Sequence, residues 1–349
     1  MQRFGRVAGG VLAGCLVAGC SGLPGLDPTA AWKAAESATA SPKASGTSQT
    51  PKPSPSATEQ PLTAQAVIAD YIERNNKANK TLDDKLLATY EGGSSLAIDK
   101  AGYLSARRLG TKAGDYKPFE YVKATFVAPA SKRWFLATAY WKRAKETAKD
   151  PTYLLFAHQD GAWKQVYAPD ISEALDAGDL PKIQKDASGA AAEVDQADGT
   201  GLLMSPAQFA RNYSVHLTGK GSNAAKSRFA SDELTTDAAS SRANMRQFAK
   251  VTEHVAPAKE YPSYALRTAD GGALVFTTFA RTQVYDVHQG PQRYYVYRKN
   301  SGLLRGKYYK YMKVGELLQV AAHIPPKSAS PAQVKVIGAY TGMVAGRGE

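Results

Sequence analysis

Both cysteines of this 349-residue chain lie close together near its start, at Cys15 and Cys20, and none follows them. Everything beyond residue 20 must therefore fold without a disulfide, without a four-cysteine zinc site and without a cysteine nucleophile. Its stability has to come from buried apolar surface. Hydrophobic residues make up 43% of the chain, enough for a packed core and far short of a polytopic membrane protein. At about 100–200 residues per domain, the length accommodates two domains and some unpacked chain.

The segment around the cysteines reads as an export signal. Arg3 and Arg6 precede a short apolar stretch, residues 7–17. A spanning helix needs about 20 apolar residues, whereas this length suits the apolar region of a signal peptide. The stretch closes on Val17, Ala18, Gly19 and Cys20, which resembles the lipobox of bacterial lipoproteins. The resemblance implies cleavage after Gly19 and a diacylglyceryl group on the Cys20 thiol. It also implies an extracytoplasmic protein, lipid-anchored to the outer face of the cell membrane. Leu12, Ala13, Gly14 and Cys15 match the same pattern. Cleavage there would leave an apolar region below the roughly 7-residue minimum, so Cys20 is assigned and Cys15 is the alternative.

Residues 1–19 are then a signal peptide and residues 20–61 a tether. The tether is rich in Ser, Thr, Pro, Ala and Gly, and its only large apolar residues are Leu23, Leu26 and Trp32. Such a composition cannot bury enough surface to offset its chain entropy, so disorder is expected. A flexible chain of about 40 residues has a typical reach of roughly 35 Å.

From residue 62 the pattern becomes that of a folded protein. Val67, Ile68, Tyr71 and Ile72 recur at helical spacing. A second helix is expected from a Thr81 cap with Asp84 at its third position, and a third over 95–108. Strands follow over 121–128, 133–141, 152–159 and 162–168, with Asp160 and Gly161 as a two-residue hairpin turn. Uniform alternation would place His158 on one face with Trp163 and Tyr167. An acidic connector, 176–200, comes next. The plan then recurs over 201–349. Ser205, Pro206 and Gln208 form a capping box, further helix is expected over 241–254, and strands end with 309–322 and 333–341. Helices followed by an antiparallel meander, twice, give an α+β class with domains at 62–175 and 201–349. This order resembles the nuclear-transport-factor-like or cystatin-like cone, in which a curved sheet wraps a helix; two unrelated α+β domains are the alternative. The alanine-rich composition, lipobox and tether also resemble the uncharacterised secreted lipoproteins of actinobacteria.

The net charge of +13 is unevenly spread. Residues 201–349 hold twenty Lys and Arg against nine Asp and Glu. Within them, residues 292–313 contain Arg293, Arg298, Lys299, Arg305, Lys307, Lys310 and Lys313, six tyrosines and no acid. Cations with interleaved aromatic rings suit phosphate-bearing surfaces. The export signal argues against nucleic acid and for phospholipid headgroups or another anionic envelope polymer. Read as structure alone, 309–314 is a strand with one aromatic face buried and its lysines in solvent.

Catalytic motifs are missing. Gly92, Gly93, Ser94, Ser95 and Leu96 do not make a nucleophile elbow, and no phosphate-binding loop or dinucleotide glycine pattern occurs. The five histidines are scattered without metal-ligand spacing. The sequence calls for no cofactor and no metal. If the first meander is an open cone, His158 and Trp163, with Tyr140 or Tyr167 near, would line its mouth. The expectation is a non-catalytic lipoprotein binding an anionic polymer, a lipid or a protein partner at the cell envelope. The alternative is a small-ligand carrier or enzyme using that mouth.

Overall fold

The computed structural model describes residues 63–349 except 176, 292, 299 and 300. Gly19, Cys20, the tether and Lys299 lie outside the described residues. Helix α1 (Ala64–Thr81) is capped by Thr63, whose hydroxyl accepts the Ala66 N–H, and buries Val67, Ile68, Tyr71, Asn75 and Ala78. The expected Thr81 cap for α2 (Asp84–Tyr90) is corrected to Asp83. Its short carboxylate accepts the N–H groups of Lys85 and Leu86, while Thr81 closes the last turn of α1 by donating to Lys77 O. Helix α3 (Gly93–Arg108) completes the set.

Strands β1 (Glu120–Val127), β2 (Trp134–Arg143), β4 (Thr152–Gln159) and β5 (Ala162–Tyr167) form the expected meander, with short β3 (Glu146–Thr147) and β6 (Asp170–Ile171) beside it. Asp160 and Gly161 both have positive φ, 52° and 78°, as a two-residue hairpin requires. The register then slips. Phe156 pairs with Gln165 but Leu155 pairs with Tyr167. This bulge at Val166 turns Tyr167 to the opposite face.

Helices α4 (Pro206–Leu217), α5 (Asn223–Lys226) and α6 (Glu233–Met245) open the second half, and the Ser205–Gln208 capping box forms in both directions. The helix expected over 241–254 stops at Met245. Residues 249–257 are strand β7 (Ala249–Pro257), paired with β9 (Ala273–Val287) from Ala249 opposite Val287 to Pro257 opposite Phe279. The β-branched Val251, Thr252 and Val255 suit that pleat better than a helix. Strand β8 (Tyr264–Arg267) pairs with β9. Strands β10 (Val296–Arg298) and β11 (Gly306–Tyr308) form a separate two-stranded arm, and β12 (Tyr311–Ile324) and β13 (Lys335–Gly348) close the fold.

The class is α+β. Both halves contribute to one eleven-stranded antiparallel sheet, in the order β1-β2-β4-β6-β13-β12-β9-β7 with β3, β5 and β8 branching from it. Strand β6 joins them, with Thr152 opposite Asp170 on one side and Gly338 opposite Ile171 on the other. One core lies between α1 and the first meander, where the Tyr71 ring sits 5.6 Å from Tyr90 and 5.4 Å from Phe156. Burying each such ring contributes roughly 2–3 kcal/mol. A second packs Phe209, Tyr213 and Leu217 of α4 on Phe279, Leu318 and Val320. A third is shared, with Trp134, Leu136, Tyr153 and Leu155 against Leu266, Leu274, Phe276 and Ile337.

Helix α3 lies along the seam. Ile98 packs with Leu317 and Ala258, the Tyr340 hydroxyl donates to Asp99, and Ser105 Oγ accepts the Gly302 N–H at 2.8 Å. Strand β13 runs seven residues past the expected end at 341. All four of its glycines, Gly338, Gly342, Gly346 and Gly348, admit close neighbours. A Cβ on Gly342 would stand 2.4 Å from Ile98 Cγ2, and one on Gly338 would stand 2.3 Å from the Asp170 carbonyl oxygen. Gly338→Val should therefore part β6 from β13 and lower the unfolding free energy by about 1–3 kcal/mol. Urea titration reads this, with Gly290→Val as the control, since nothing lies within 4 Å of the added carbon there.

Candidate functional site

The first meander brings together only two of its four expected site residues. His158 and Trp163 face each other across β4 and β5, their rings perpendicular at 5.4 Å, and His158 is exposed. Trp163 packs on Phe135, which stacks on Phe156, so aromatic rings fill the space between α1 and the sheet. Tyr140 is displaced from this pair because it alternates with Ala139 and Trp141, which join that core. Instead it lies opposite Val122, with the Lys123 ammonium 5.7 Å from its ring. Tyr167 is fully buried on the other face, where the bulge puts it. Its hydroxyl donates to Pro262 O at 2.8 Å and accepts from Thr278. Burial pushes its pKa above the ordinary tyrosine range, so it remains a neutral donor.

The basic, tyrosine-rich stretch takes a definite shape. Val296 opposite Tyr308 and Arg298 opposite Gly306 make the β10–β11 arm. Val296, Leu304, Met312 and Val314 anchor it by packing on Met245 and Tyr285. On the arm the Lys307 ammonium sits 4.6 Å from the Tyr295 ring, that ring lies 5.8 Å from Tyr309, and the Arg293 guanidinium covers Tyr309 at 4.4 Å. Cation, ring, ring and cation thus form one ladder, each cation contact worth roughly 0.5–1 kcal/mol at an exposed site. Arg293, Arg305 and Lys307 are exposed and Arg298 is half-buried. None of these four has a carboxylate within ion-pair distance among the described residues. Tyr297 is 46% exposed.

Two of the seven cations belong to the frame. Lys310 bonds the Glu349 carboxylate, which raises its pKa. Lys313 lies within β12, between Val284 and Arg347. The expected aromatic buried face of 309–314 is corrected: Met312 and Val314 are buried, while Tyr309 and Tyr311 are only half-buried. The alternation is present, but the opposite set of residues points inward.

Two polar clusters escaped the sequence reading. In the second half, Glu253 is buried with Arg242 at 2.5 Å and Gln283 Nε2 at 3.2 Å, and Arg281 lies 2.7 Å from Glu316. Each charge has its counter-ion, as a buried ionic network must. At the β8–β9 turn, His323 Nε2 lies 3.2 Å from Asp270 Oδ2 and 3.3 Å from Thr268 Oγ1. Thr268, His and Asp suggest a nucleophile relay, but both contacts fall on one imidazole nitrogen, whereas a relay uses the two nitrogens on opposite sides. An Asp-Gly pair such as Asp270 and Gly271 is a local turn signal, whereas no local signal ties His323, 53 residues further on, to it.

A family model described as a domain of unknown function, DUF8094, matches residues 54–348. The chain is 30% identical over 301 residues to an uncharacterized lipoprotein of Streptomyces coelicolor, covering 80% of this chain and 78% of that one. It is 27% identical over 293 residues to an uncharacterized lipoprotein of Streptomyces avermitilis, covering 82% and 85%. No solved structure matches it. Among the described residues no helix is long and apolar enough to cross a membrane.

The His323 cluster sets a pH response. Burial holds the His323 imidazole below its ordinary pKa of about 6.5, Asp270 only partly opposing. The folded state therefore favours the neutral ring, and this contribution is complete above the ordinary value and lost as pH falls to the depressed one. For Asp270 burial acts upward, but Thr268, the Gly272 N–H and His323 outweigh it and lower its pKa. Its contribution is lost further down, below about 3.9. His323→Gln should flatten the fall in urea midpoint below about pH 6.5, leaving the share from His216, which burial also lowers.

Proposed function

The chain belongs to the DUF8094 family, and we propose that it is an extracytoplasmic lipoprotein that rests its β10–β11 arm on an anionic phospholipid leaflet. Cys20, freed by cleavage after Gly19, carries the lipid, and residues 21–61 are the tether. The order of elements in each half supports reading the folded part as two fused cones of the nuclear-transport-factor-like or cystatin-like type. The observation that carries the function is the ladder of Lys307, Tyr295, Tyr309 and Arg293, joined by Arg298 and Arg305 and without a neighbouring counter-ion among the described residues. The lipoprotein names of the Streptomyces relatives support the anchor.

The physics favours the leaflet over more distant partners. A lipid anchor with a tether of roughly 35 Å reach holds the arm near that surface continuously. Each cation close to an anionic leaflet contributes about 1 kcal/mol, within a Debye length of about 8 Å. Tyrosine rings suit the boundary between headgroup and acyl chain. The role is non-catalytic and that of a scaffold.

Vesicle binding tests the reading. The unlipidated chain should bind phosphatidylglycerol vesicles at about 50 mM salt and leave them at about 0.5 M. Changing Arg293, Arg298, Arg305 and Lys307 together to Ala should weaken binding by roughly 2–4 kcal/mol. Equal binding to neutral phosphatidylcholine, or no loss in the variant, contradicts it. In cells, Cys20→Ala should release the protein or leave it uncleaved, whereas unchanged retention would assign the anchor to Cys15.

A further inference from the structure

A cavity of about 380 Å³ opens beside α4, between its C-terminal half and the segment running through α5 to Phe229. It is open to solvent, and Val215, Ala224, Ala225 and Phe229 supply its apolar lining. Val215 is 48% exposed there, and the His216 ring stacks on Phe229 at 4.7 Å and 22°. Lys220, Lys226 and Arg228 stand around it, and no carboxylate lines it. None of the three has an ion-pair partner among the described residues. His216 Nδ1 is buried without a hydrogen-bond partner.

We propose that this cavity binds a small phosphomonoester, its phosphate on Lys220, Lys226 and Arg228 and its organic body against Val215 and the stacked rings. Three cations match a group that carries about −1.5 to −2 at neutral pH. Ion pairs from Lys and Arg to such oxygens are charge-assisted and about twice as strong as neutral hydrogen bonds. The volume exceeds that of phosphate alone, which leaves room for the body. This site uses none of the residues of the β10–β11 arm and stands apart from the membrane reading.

The charges around His216 make the ring a reporter. Burial lowers its pKa, Asp232 at the start of α6 acts upward and Lys226 downward. Asp232 Oδ1 is engaged by the Tyr213 hydroxyl at 3.0 Å and the Thr235 N–H at 2.9 Å. An anion on Lys226 cancels that lysine's effect and favours the imidazolium.

The test is a titration of the unlipidated full chain with glycerol 3-phosphate, followed by the His216 ring protons and by calorimetry. Saturable binding is expected, with the apparent pKa of His216 rising. Lys226→Ala and Arg228→Ala should each weaken binding roughly tenfold, and Arg293→Ala with Lys307→Ala should leave it intact. No saturable response, an equal response to sodium chloride at matched ionic strength, or undiminished binding by both cavity variants would overturn the proposal. Loss of vesicle binding with this titration intact would remove the membrane reading alone.

Discussion

Gln319, at the middle of β12, has no exposed surface, and its amide must find its partners across the seam between the two halves. Its Nε2 lies 2.9 Å from both Ser94 Oγ and Ser95 Oγ and 3.0 Å from Val166 O, and its Oε1 accepts the Ala168 N–H at 2.8 Å. Gln165 donates to Ser95, and Ser94 meets Thr278 at 2.8 Å. Thr278 continues the chain to Tyr167 and Pro262. Removing any one member would strand buried polar atoms at about 1–3 kcal/mol each. A fully satisfied network of this kind fixes one arrangement of the parts around it. Here it sets the start of α3, the bulge in β5 and the register of β12 together. The arm depends on the same frame, because β12 carries Met312 and Val314 beneath it.

The local plan was readable because short-range chemistry fixes it. Asp160-Gly161 supplied the positive φ angles of a hairpin, and Ser205, Pro206 and Gln208 supplied a helix start. Errors came where a distant partner decided the outcome. Residues 249–254 became strand because β9 was there to pair with them. Strand β13 continues past residue 341, where its expected end lay, because Ile98 and Leu304 pack into the space that Gly342 and Gly346 leave. No spacing rule in the sequence announces that β6 will bridge β4 and β13.

The same division holds for the sites. Composition marked 292–313, since cations and tyrosines without an acid are a local signal. It did not show which of them form the ladder, or that Lys310 is bound to Glu349. The mouth expected from His158, Trp163, Tyr140 and Tyr167 rested on uniform alternation, and one extra residue at Val166 was enough to separate Tyr167 from the pair. The cavity beside His216 left no sequence signature, because its three cations lie among ordinary surface residues.

The seam makes one folded body out of both halves of the chain. Scanning calorimetry of the unlipidated full chain tests it most directly. A single transition, with calorimetric and van't Hoff enthalpies equal, is the result this fold requires. Two resolved transitions, one for each half, would contradict it.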